Sequence, residues 1–153
     1  MTRLAPLLCM ALGAAAVLVA CDGEPAGPRP GEAFTLKLHE RATLDVIQTS
    51  VRFREVSEDS RCPSRVQCVW AGNGAVVLEV APAEADATED TLHTNPESGP
   101  GGVVLAGYEL RLLQLNPYPD TPGDISPIDY RATLALYERL DAPVQPSSAP
   151  TSY

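Results

Sequence analysis

Between residues 33 and 140 the large apolar side chains recur with a period of two, which points to half-buried strands rather than helices. In AFTLKLH, Phe34, Leu36 and Leu38 share one face, with Thr35 and Lys37 opposite. ATLDVIQ places Leu44 and Val46 together. SVRFREV carries Val51 and Phe53 and then Val56, an offset that predicts a β-bulge near Arg54–Glu55. GYELRLLQL sets Tyr108, Leu110 and Leu112 against Glu109 and Arg111. DYRATLALYERL has helix-forming residues, but Tyr130, Ala132, Leu134 and Leu136 alternate with Arg131 and Thr133, and the alternation favours a strand. Short strands punctuated by Pro and Gly predict an all-β fold. The expected domain is an antiparallel β-sandwich or small barrel-like domain of about seven strands, with one short disulfide.

One hairpin can be argued to the residue. VQCVWA and AVVLEV flank Gly72-Asn73-Gly74. A three-residue loop with Gly74 left-handed pairs Trp70 with Val76, Cys68 with Leu78 and Val66 with Val80. All the large apolar members then face one way, and a slip of one residue scrambles them. This register predicts a buried Trp70 and a left-handed Gly74 as structural residues.

The N-terminus places the protein in the cell. Arg3 precedes a run, Leu4 to Ala20, without charge, which reads as a secretory signal. Leu18-Val19-Ala20-Cys21 resembles the bacterial lipobox, in which the cysteine is acylated and the chain is cut just before it. Lipid on Cys21 then anchors the mature protein to a membrane. Asp22 after that cysteine resembles an inner-membrane retention signal, although the choice of membrane stays open. The expected organisation is a lipoprotein signal over 1–20, a lipidated Cys21 and linker over 21–32, a β domain over 33–140 and a disordered tail over 141–153. The formal charge of −9 becomes −10 once Arg3 leaves with the signal. Such an acidic chain repels phosphate, which argues against nucleic acid as a partner.

Two long connections interrupt the strands. Residues 82–102 are rich in acids without Lys or Arg, and only Thr88 to His93 suits a short edge strand. This loop lacks the alternating spacing of a calcium loop. Residues 116–129, NPYPDTPGDISPID, are rich in Pro and Asp.

The densest chemistry lies in EDSRCPSRVQCVWAG, from Glu58 to Gly72. Cys9 leaves with the signal and lipid consumes Cys21, so Cys62 and Cys68 remain in an oxidising compartment. Four readings are open. The expected one is a structural disulfide, since the intervening residues allow the Cα separation of about 5.5 Å that a bridge needs. The spacing differs from that of a redox Cys-x-x-Cys. His39 and His93 are isolated, which argues against a metal. Arg65 within the closed ring could serve an inhibitor-type loop. Glu58 and Asp59 near Arg61 read as a cap on the turn or as a surface ion-pair cluster.

EDSRCP followed by the second cysteine and VWAG resembles a signature of small exported bacterial proteins and lipoproteins without an assigned activity. GYELRLLQLNPYP resembles a second, looser block. The resemblance spans roughly residues 50 to 136. It implies a β-rich exported domain and brings no catalytic residue.

No nucleophile–base pair is recognisable, and Glu89 and Asp90 lie on a poor scaffold for acid–base work. The expectation is therefore a non-enzymatic accessory lipoprotein of the cell envelope. It would have no catalytic residue, cofactor or metal, and its expected partners are the membrane, through lipid on Cys21, and an envelope protein. The alternative is a ligand- or inhibitor-type binding module acting through the Cys62–Cys68 loop.

Overall fold

The computed structural model describes residues 27–121 and 125–140. The signal, Cys21, the first part of the linker and the tail from residue 141 lie outside the described residues. The strands are β1 (Ala33–Lys37), β2 (Arg41–Leu44), β3 (Thr49–Asp59), β4 (Gly74–Pro82), β5 (Thr88–His93), β6 (Gly102–Leu105), β7 (Tyr108–Asn116) and β8 (Arg131–Glu138). They form two antiparallel four-stranded sheets, in the orders β1-β8-β7-β6 and β2-β3-β4-β5.

Both sheets feed one core, so the architecture is a sandwich. Val51, Phe53, Val76 and Leu78 come from one sheet and Leu110, Leu134 and Leu136 from the other, all fully buried. Each such side chain contributes about 1.5–3 kcal/mol by leaving water. Glu79, on the outer face of β4, instead pairs with Arg41 at 2.9 Å and Arg54 at 3.1 Å.

Most of the predicted strands stand. The bulge in β3 occurs where expected: Phe53 faces Leu78 and Glu55 faces Val77, so Arg54 is the extra residue. A second shift lies between Val56 and Glu58. β5 forms over Thr88–His93 at the sheet edge, as its isolated pattern suggests. The run 129–140 forms a strand, β8, within its bounds. Val46 departs from expectation: β2 ends at Leu44, a 3-10 turn follows over Asp45–Ile47, and Val46 is left exposed. β7 also bulges, between Leu112 and Gln114, so Leu115 rather than Gln114 turns inward.

The predicted hairpin is incorrect. Residues 66–71 form no strand, and Trp70 is 80% exposed. The partner of β4 is β3: Val51 faces Val80, Phe53 faces Leu78 and Val56 faces Val76. β3 is longer and supplies the whole apolar face that β4 needs, so nothing remains for a strand at 66–71 to pair with. The left-handed glycine is Gly72, with φ +67°, and not Gly74, which opens β4. Gly74 is small for another reason: a Cβ there would lie 2.9 Å from a methyl of Leu115.

The sandwich has two distinct ends. Asp59 pairs with Gly74 at one end of β3–β4, and Asn116 pairs with Arg131 at one end of β7–β8. A bond of 2.9 Å from the Tyr130 hydroxyl to Asp59 joins these two ends, here called the upper end. The chain enters and leaves at the lower end. There the Gly27 N–H donates to Asp45 Oδ2 at 2.8 Å and Arg139 N–H donates to the Gly107 carbonyl at 3.1 Å. The linker expected to run free to residue 32 is thus tied to the domain from Gly27 onward.

Candidate functional site

The residues between β3 and β4, 60–73, form the prominent feature of the upper end. The Cys62–Cys68 disulfide is present, with Cα atoms 5.9 Å apart. The loop is fixed at both roots. Ser60 N–H donates to the Asn73 carbonyl at 2.7 Å, and Cys62 N–H to the Ala71 carbonyl at 3.3 Å. Gly72 passes so close to Ser60 that a Cβ would lie 1.8 Å from the Ser60 carbonyl oxygen. Asn73 is buried. Its amide nitrogen meets His93 Nδ1 at 2.9 Å, and its side-chain oxygen accepts from Asn95 N–H at 3.3 Å.

The side of the loop leans on the 116–129 connection. Ser64 N–H donates to the Pro119 carbonyl at 2.9 Å, and Ser64 Oγ bonds Asp120 Oδ1 at 2.8 Å. Arg65 pairs with Asp120 at 2.7 Å. Arg65 is therefore tied sideways to its own protein rather than standing free at the tip.

Beneath the loop lies a polar cluster larger than the turn cap or surface ion pair expected of Glu58, Asp59 and Arg61. Arg61 is neither a surface ion-pair member nor only part of a capped turn: it is 7% exposed. Its Nε and Nη2 donate to the two carboxylate oxygens of Asp59 at 2.7 and 2.6 Å. Nη2 also donates to the Pro117 carbonyl at 2.9 Å, and Nη1 donates to the Leu115 carbonyl. The guanidinium lies 5.2 Å from the centre of the Tyr118 ring. Asp59 also accepts the Arg61 N–H at 3.3 Å, so the expected cap is present within the larger cluster. Burial pushes the Asp59 carboxyl up, but the bonds from Arg61 and Tyr130 and the charge of Arg61 outweigh it and hold the group below its usual value.

The signal for this cluster was the spacing Asp59-x-Arg61, which puts both side chains on one face of an extended chain. Tyr130 and the carbonyls of 115 and 117 arrive from far along the sequence and had no local signature. The arrangement is structural chemistry: the guanidinium ties the end of β3 to the end of β7.

Two recesses flank Arg61. One, of about 640 Å3, lies between Val56–Arg61 and the Pro119, Pro127 and Tyr130 region. The other, of about 380 Å3, is lined by Ala71, Gly72, Pro96, Leu113 and Tyr118 with Arg61 at its base. The loop also carries exposed apolar residues: Val69 at 85% and Trp70 at 80%, the latter directly before Ala71 of the second recess, with Val66 less exposed. Tyr118 and Leu113 add exposed apolar surface from the neighbouring segments.

The remaining candidates are scattered. His39 sits in the turn between β1 and β2 with φ +66°, far from His93 in the sheet order, and His93 is engaged by Asn73. Glu89 approaches Arg54 at 3.5 Å on the outer face of the second sheet. Among the described residues no group of three His, Cys, Asp or Glu side chains is gathered for a metal ion. Cys21 lies outside the described residues. In comparison with known proteins, the chain matches no family model, no curated protein and no solved structure.

Proposed function

We propose that this chain is an exported, lipid-anchored accessory protein of the cell envelope, and that it binds its partner through the loop 60–73 that the Cys62–Cys68 disulfide braces, with Trp70 as the leading contact. The observation that carries this reading is the 80% exposure of Trp70 on a loop fixed at both roots. An exposed indole forgoes about 1.5–3 kcal/mol of burial that a core position would return. Loops that hold such residues in place lose little freedom on binding, and Trp is enriched among residues that dominate interfaces.

The geometry of tethering agrees. If lipid sits on Cys21, the six links from Cys21 to Gly27 reach at most about 22 Å. Gly27 lies at the lower end, and the loop lies at the upper end, past the whole of β3. At about 3.3 Å per residue that strand spans roughly 36 Å, so the tip faces away from the anchoring bilayer. The reading is one of binding rather than catalysis. The charged pair under the loop, Asp59 and Arg61, is already bonded to itself and to the carbonyls of Leu115 and Pro117, which supports a structural role for it.

The test is co-purification from solubilised membranes. Wild type and Val104→Ala, altered at an exposed apolar residue elsewhere, should retain a discrete partner. Trp70→Ala should lose it while remaining folded and lipidated. Equal recovery with Trp70→Ala would overturn the reading.

A further inference from the structure

We infer that the partner seated on this surface is a second copy of the same chain, paired by reciprocal insertion of Trp70 into the recess lined by Ala71, Gly72, Pro96, Leu113 and Tyr118. This rests on the proposed function's reading of the loop as the binding surface and names what it binds. The first support is that knob and hole are neighbours. Trp70 directly precedes two of the lining residues, yet it stands outside the recess. A two-fold contact needs a self-complementary patch, with knob and hole side by side, so that each knob enters the other copy's hole. A knob and hole on different faces would instead build an open chain of subunits.

The second support is size. The recess measures about 380 Å3, enough to admit an indole. The two aromatic rings expose much of the roughly 150–250 Å2 that each can bury. With Val69 and Leu113 the exposed apolar surface comes to about 500 Å2 per copy, or about 1,000 Å2 in a pair, the size of a weak and transient interface. Pairing of this size is reversible and concentration-dependent.

The third support is charge. Two copies of the chain without residues 1–20, whose formal charge is −10 once Arg3 is gone from the −9 of the full sequence, repel each other over most of their surfaces. Residues 62–73 contain no acid, and their one cation, Arg65, is paired with Asp120. None of the residues lining the recess is acidic, and the Arg61 at its base is neutralised by Asp59. This is where two acidic copies can approach without burying like charges. Leu113 and Gln114 are exposed residues of β7 at the bulge, so the recess opens toward the flank of the sandwich. Two copies standing on one membrane can therefore meet shoulder to shoulder.

The test uses residues 22–153, which contain the whole core, exported behind a cleavable signal so that no lipid is present. Sedimentation and iodide quenching of the sole tryptophan are followed over a dilution series. The expected result is a monomer–dimer equilibrium in which Trp70 is freely quenched when dilute and protected when concentrated. Added salt to about 0.5 M should tighten pairing by screening the repulsion. Trp70→Ala should weaken pairing about tenfold or more, a loss of about 1.4 kcal/mol. Leu113→Glu, which leaves the knob intact and places an acid in the hole, should abolish pairing and leave Trp70 quenchable at every concentration. A monomer with quenchable Trp70 throughout overturns the pairing but leaves the loop as a binding surface. A tryptophan protected even in the dilute monomer overturns both. Leu113→Glu pairing as wild type does overturns the reciprocal geometry.

Discussion

Asp59 holds Arg61, two residues further along the same chain, through both carboxylate oxygens, and both side chains are almost fully buried, 11% and 5% exposed. The pair fastens the end of β3 to the carbonyls of Leu115 and Pro117 and to Tyr130, so it joins the two sheets where the loop emerges. Removing one member leaves the other buried and unpaired, which costs about 3–5 kcal/mol. Arg61→Ala should therefore be the most destabilising polar substitution in the domain. Urea unfolding against wild type would measure it, and a change below about 1 kcal/mol would be inconsistent with a buried pair.

The same cluster sets an acid limit. The Asp59 pKa is held below its ordinary value in the folded state, while the unfolded chain titrates near the usual value of about 3.9. In the window between those values the unfolded state binds more protons. The stabilisation is thus fully present above about pH 4 and is lost as pH falls through the folded-state pKa. Stability measured by urea between about pH 5 and pH 2 should fall less steeply for Asp59→Asn than for wild type. Parallel curves would remove Asp59 from the account.

Gly72 and Gly31 offer a matched pair. Both have positive φ, +67° and +82°, but a Cβ at Gly72 would collide with the Ser60 carbonyl, whereas nothing lies within 4 Å of one at Gly31. Gly31→Ala should cost only the backbone penalty, about 1–2 kcal/mol. Gly72→Ala should cost clearly more and should displace the loop root, which melting curves of the two variants would compare directly.

The disulfide should matter twice. Closing a ring of this length stabilises by roughly 2.4 kcal/mol on the chain-entropy estimate. Cys62→Ala/Cys68→Ala should lower the melting temperature accordingly. It should also weaken partner binding at temperatures where the domain stays folded, because the tip residues lose the fixed root that precedes them. Unchanged affinity in the folded double variant would show that the loop does not need to be held.

The proposed lipid on Cys21 is tested by metabolic labelling. Fatty acid should mark the wild type and leave Cys21→Ser unlabelled. Equal labelling of both would end the lipoprotein reading.

The strands were legible because burial imposes alternation on residues such as Leu36, Phe53 and Leu134, and this survives even where a bulge shifts the phase. β6 was missed, because Gly102–Leu105 is short and follows a Gly-rich run that reads as loop. The disulfide was legible from the cysteine count and from the Cα reach of the five residues between Cys62 and Cys68. The fate of Trp70 was not. Val66, Cys68 and Trp70 alternate as a strand does, but local alternation says nothing about which strand β4 selects. That choice was made by the longer apolar face of β3. The cluster around Arg61 was half legible: Asp59 is close in sequence, but Leu115, Pro117 and Tyr130 become its partners only once β7 and β8 are in place.

The central claim is that the upper-end loop, led by Trp70, is the surface through which this protein meets its partner. A photo-reactive side chain placed at position 69, next to Trp70, in cells bearing the full-length protein tests it most directly. The same group at position 104, exposed on β6, serves as the reference. A discrete cross-linked product is expected from position 69 that disappears with Trp70→Ala, and none from position 104. A product from position 104 alone, or one from position 69 that persists without Trp70, would contradict it.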